Sequence, residues 1–148
     1  MKTFVLILIT VIGFASCQNA EKKVTGKELT DEDRMNALKD SSNFTTVQWL
    51  DSTYIDAGTA KEGAQVEVNF RFKNTGDNNL IISNVSAQCG CTTPDWPKYP
   101  IASGKEGVIK AVFNSSSRPG ENRKEVYVQA NSVPQSSITL TFRVEVTK

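Results

Sequence analysis

Two stretches of strict alternation constrain this chain more than anything else in it. Val66, Val68, Phe70 and Phe72 alternate with Gln65, Glu67, Asn69 and Arg71. Ile138, Leu140, Phe142, Val144 and Val146 alternate with Thr139, Thr141, Arg143 and Glu145. A period of two sends successive side chains to opposite faces, so each stretch reads as a strand with one face toward a core and one toward water. Thr45 to Leu50, Tyr54 to Gly58, Leu80 to Ala87, Gly107 to Phe113 and Lys124 to Ala130 are weaker strand candidates. Turn chemistry separates them at Asn74 to Asn79, Ser103-Gly104 and Ser117 to Gly120. No helical periodicity of comparable length interrupts the series, which argues against parallel βαβ units. The expected fold is all-β: an immunoglobulin-like antiparallel β-sandwich of about seven strands over residues 44–148. A jelly roll is the alternative and asks for one more strand.

Upstream of the strands the chain changes character twice. Lys2 precedes an apolar run, Thr3 to Gly13, and Phe14-Ala15-Ser16-Cys17 follows. The run is too short to span a bilayer well and fits the apolar centre of an export signal, residues 1–16. Ala15-Ser16-Cys17 resembles the lipobox of bacterial lipoproteins, which implies cleavage before Cys17 and lipidation of its sulfur. Acyl chains on Cys17 would hold the protein on a membrane of the cell envelope. Residues 17–43 are polar and contain no aromatic. Such a segment buries too little surface to offset its ordering entropy, so it is expected to be a flexible tether. One short helix is expected inside it, from Asp31 to about Lys39, capped by Thr30 with Asp33 three residues on.

Several function classes drop out on composition. The chain has no histidine, which removes Ser-His and Cys-His catalysis, His-ligated zinc and His pH switching together. Its formal net charge is +1, and loss of Lys2 with the leader leaves the mature side chains neutral in sum. A nucleic-acid partner is therefore not expected, because that needs a basic surface. Gly58 to Ala64 has glycines at phosphate-loop spacing, but Ala64 stands where the motif needs lysine. No G-x-S-x-G occurs.

The chemistry-bearing stretch is Cys89-Gly90-Cys91-Thr92, which opens a loop running from Thr93 to Pro100. Three cysteines is an odd number for an exported protein. Assigning Cys17 to lipid leaves Cys89 and Cys91 as a pair in a compartment where disulfides persist. Three roles stay open: a structural clip, a redox-active dithiol, or a soft-metal site for monovalent copper. Gly90 is read as the residue that permits unusual backbone angles between them. Trp96 and Tyr99, set among Pro94, Pro97 and Pro100, form either a binding loop or a plug for the open end of the sandwich.

Beyond these motifs, Pro97, Pro100-Ile101-Ala102, Gly104, Gly107-Val108-Ile109, Val112-Phe113-Asn114, Arg118-Pro119-Gly120, Lys124, Val126, Val128 and Asn131 follow in order. Together with Cys89-Gly90-Cys91-Thr92 they resemble the bacterial DUF1573 family, from about Trp49 to Val146. Ser103 departs from the pattern, since a proline commonly precedes the glycine there. The resemblance implies an immunoglobulin-like domain similar to the major sperm protein type of sandwich, exported and often lipid-anchored, with no established enzymatic activity. The function expected is thus a lipid-anchored, non-catalytic binding or scaffolding module that needs no cofactor and is not an enzyme. Its partners would be the membrane, through the lipid, and an envelope protein or glycan. The alternative is redox or copper chemistry at Cys89 and Cys91.

Overall fold

The computed structural model describes residues 27–148. The export signal, Cys17 and the first part of the tether lie outside the described residues. A short helix α1 (Asp31–Asn36) and a 3-10 turn (Ser41–Asn43) lead into nine strands. These are β1 (Thr45–Trp49), β2 (Tyr54–Lys61), β3 (Gln65–Asn74), β4 (Ile82–Ala87), β5 (Thr92–Asp95), β6 (Glu106–Asn114), β7 (Gly120–Ala130), β8 (Ser132–Val133) and β9 (Ser137–Thr147). One sheet has the order β5-β6-β3-β1-β8 and the other β2-β9-β7-β4.

The core follows from the alternation. Val68, Phe70 and Phe72 of β3 and Leu140, Phe142, Val144 and Val146 of β9 are buried, with Ile109, Ala111 and Phe113 of β6 and Val126, Val128 and Ala130 of β7. Phe113 and Phe142 meet edge to face across the sheets, centroids 6.1 Å apart. Each fully buried Phe or Leu side chain contributes about 2 kcal/mol of transfer free energy, so these strands carry most of the stabilisation.

The sandwich is not wholly antiparallel. β1 pairs with β8 and β2 pairs with β9 in parallel. The reason is a change of sheet. β2 reaches β3 through a tight turn in which the Ala64 N–H donates to the Lys61 carbonyl at 3.1 Å, with Gly63 at φ +88°. β2 therefore opposes β3, as β1 does, and β1 and β2 run on in one direction. Residues 50–53 carry the chain across. Leu50 still donates to the Arg71 carbonyl, whereas the Thr53 carbonyl already takes the Thr141 N–H. Asp51 pins the switch by accepting from the Arg71 backbone N–H at 2.8 Å and from its guanidinium at 2.7 Å.

Nine strands stand where about seven were expected. The additions are β5, which lies in the stretch read as loop, and the two-residue β8. β7 also begins four residues before Lys124, at Gly120. The expected helix forms with the Thr30–Asp33 capping box but ends at Asn36. Residues 28–39, expected as flexible tether, lie against the sandwich: α1 packs on β4, and Leu29 donates its N–H to the Lys98 carbonyl at 3.0 Å.

Candidate functional site

Cys89, Gly90 and Cys91 carry the chain from β4 in one sheet to β5 in the other. Gln88 extends the β4 ladder by donating to the Glu125 carbonyl, and the Thr92 N–H turns back to the Cys89 carbonyl at 3.2 Å. The Asn114 N–H then donates to the Cys91 carbonyl at 2.9 Å, which starts the pairing of β5 with β6. Cys89 and Cys91 are joined by a disulfide, with Cα atoms 5.2 Å apart. Thr92 is buried beside it, and its hydroxyl lies 4.0 Å from each sulfur.

Gly90 does not have the role read from the sequence. Its φ lies outside the left-handed region, and a Cβ there would meet no atom within 4 Å. The crossing places this residue at the surface, where a side chain would have room and no left-handed φ calls for a glycine.

The surroundings of the disulfide are cationic. Arg118 lines a shallow depression with Gly90, Cys91, Asn114 and Ser116. Lys124 faces inward on β7, its ammonium 5.3 Å from the centre of the Phe113 ring. Burial, and then the Arg118 charge, push the Lys124 pKa down. Asp95, at the far end of β5, is paired in register with Lys110 and so lies away from the sulfurs. Among the described residues no three Cys, Asp or Glu side chains converge.

The loop after β5 divides its two aromatics. Trp96 is half-buried and packs against the core. The Lys98 ammonium lies over its ring, and burial lowers the Lys98 pKa. The Trp96 Nε1 is buried without a hydrogen-bond acceptor. Tyr99 is 37% exposed. With Trp96, Pro97 and Val108 it lines a second depression, rimmed by Asp95, Glu106 and Lys110. One face of Trp96 is thus occupied by Lys98, and Tyr99 is the more exposed of the two aromatics in this depression.

Sequence reasoning missed two residues that shape this region, Lys98 and Leu29. Lys98 sits between prolines and aromatics and looks like one more solvated charge. Leu29 gives no periodic signal, although the Thr30–Asp33 capping motif beside it marked a folded segment.

The two sheets, joined by crossings at residues 50–53 and 89–91, define an immunoglobulin-like β-sandwich. Within that class the chain belongs to the DUF1573 family, described as a protein of unknown function, whose model matches residues 48–146. No curated protein matches the sequence. Among solved structures, a protein of unknown function from Porphyromonas gingivalis W83 is similar with a TM-score of 0.62 at 14% identity. The alignment covers 72% of this chain and 49% of that one, so this chain spans about half its length. The ASH/PapD-like domain of human CEP192 gives a TM-score of 0.53 at 13% identity, covering 72% of this chain and 87% of that one. The YadV chaperone gives 0.51 at 16% identity, covering 69% and 52%. At these identities the likeness is one of fold.

Proposed function

We propose that this protein is a non-catalytic binding module, held on the envelope membrane by lipid on Cys17, that presents one side of its sandwich to a partner protein. The observation that carries the reading is the shared edge: β4 and β5 are both edge strands, lie in contact, and are flanked by the Tyr99 face of the loop. Edge strands, where they are uncovered, and aromatic loops recognise extended polypeptides through main-chain hydrogen bonds. No group of three Cys, Asp or Glu side chains converges among the described residues, and the chain has no histidine, so binding is better supported than chemistry. The fold class agrees with this role.

The test is a photo-cross-linker placed at Tyr99 in the exported chain. One specific envelope protein should be captured, and Cys17→Ser should abolish acyl labelling and release the protein from the membrane fraction. A cross-linking pattern no different from that of a probe at Asn69, on the far strand β3, would overturn the binding surface. Acyl labelling that persists in Cys17→Ser would overturn the anchor.

A further inference from the structure

Folded proteins protect edge strands with charge, proline, bulges, shortness or a covering segment. Three edges here carry such devices themselves. β8 has two residues. β5 has four, one of them Pro94. β2 contains Asp56 and Lys61 and slips register between Asp56 and Thr59. β4 is different. Its register slips once, between Ile82 and Asn84, and from Asn84 to Ala87 it is regular, uncharged and free of proline. Its cover is the chain's own segment 28–39, through the packing of α1 on β4 and the Leu29–Lys98 hydrogen bond.

That cover is held unevenly. At its C-terminal end the Asn78 side chain donates to the Ser42 and Phe44 carbonyls and Asn131 to that of Asn43. At its N-terminal end, Leu29 to Lys98 is the one backbone hydrogen bond joining residues 27–43 to the strands and loops beyond them. α1 buries no residue. Its other bonds are internal: the capping box, and the Arg34 guanidinium on the Leu29 carbonyl and Asp31. A helix this short has no stability of its own, so it stays folded only while docked.

We propose that residues 28–39 are a displaceable strap, hinged at residues 40–44, whose release lets an extended, uncharged segment of a partner protein add as a strand beside β4. This deepens the binding-module reading above and rests on it. The chemistry of β4 selects the occupant. Asn84 and Ser86 point outward and Val85 inward, so a strand of polar uncharged residues alternating with apolar ones is matched, and a charged strand would meet no countercharge.

The experiment compares the full chain with a lock, Leu29→Cys with Lys98→Cys, and with two releases, Leu29→Pro and Arg34→Ala. Hydrogen exchange is read at β4, and binding is read by titration with a short peptide of alternating threonine and valine. The β4 amides turned away from β7 should exchange faster in the releases than in the lock, while the β9 amides stay unchanged. The peptide should perturb Asn84 to Ala87, bind the releases roughly tenfold tighter than the native chain if the strap is open about a tenth of the time, and not bind the lock. Equal β4 exchange in the lock and Arg34→Ala, or peptide perturbation away from β4, would overturn the strap. Should Leu29→Pro fail to fold, Arg34→Ala carries the comparison, because the hydrogen bonds of that side chain go to Leu29 and Asp31 within the segment. The outcomes separate from those above: a strap response at β4 without any envelope partner captured at Tyr99 defeats the binding module and leaves the strap.

Discussion

Asn131 shows how much one buried side chain can organise. It is 1% exposed, donates to the Asn43 and Asn79 carbonyls at 2.7 and 3.0 Å, and accepts the Ile81 N–H at 2.7 Å. Three backbone segments that belong to no common ladder meet on one amide. Asn131→Ala removes three hydrogen bonds to part-buried backbone groups, each worth about 0.5–1 kcal/mol, so a loss of about 2 kcal/mol is expected in urea unfolding. Asp51 makes a different kind of prediction. Hydrogen bonds from the Arg71 side chain and backbone, and then its charge, lower the Asp51 pKa from 3.8 to about 2. A depressed carboxyl stabilises the fold above its ordinary pKa, and that contribution is lost as pH falls through its folded value. Asp51→Asn should therefore flatten the pH dependence of stability between 3.8 and about 2, followed by thermal unfolding across that range.

Among the elements, α1 and β5 separate what local sequence can announce from what it cannot. The Thr30–Asp33 capping box is a local motif, and it forms as its spacing requires: the Asp33 N–H donates to the Thr30 hydroxyl at 3.1 Å. Thr30→Ala should cost the helix about 1 kcal/mol. Because α1 buries no residue, that loss is expected in exchange at α1 and the adjoining β4 edge, with the midpoint of global unfolding unmoved. β5 had no such signal. Thr-Thr-Pro-Asp has weak strand propensity, and it is extended because Thr92 to Asp95 pair with Phe113 to Lys110 of β6.

For the whole molecule, the disulfide is a small contributor. The closed loop spans three residues, and loop-closure entropy for so short a ring is worth about 1.5 kcal/mol. Most of the core lies on the faces of β3, β6, β7 and β9, and of the crossing Cys91 packs against it only partly buried. Replacing both Cys89 and Cys91 with serine should leave the circular dichroism unchanged and lower unfolding stability by about that amount. A loss of fold would show instead that the crossing directs assembly of the two sheets.

The alternation of β3 and β9, the turn residues between the weaker strands and the order of the family's motifs determined the sandwich from sequence alone, because period-two burial is a local property of an extended chain. That Cys89 and Cys91 are close enough to bridge was also legible, since one residue separates them. The tertiary structure alone decided the rest. Parallel pairing of β1 with β8 and β2 with β9 depends on where the chain changes sheet, which no periodicity records. Trp96 and Tyr99 look alike in their proline-rich loop, and only the packing of neighbouring elements turns one toward the core under Lys98 and leaves the other at the surface. The polar segment before Phe44 reads as a spacer because it has too few apolar residues to fold alone. Residues 28–39 of it lie against the sandwich because the β4 edge and one carbonyl, at Lys98, offer them somewhere to dock.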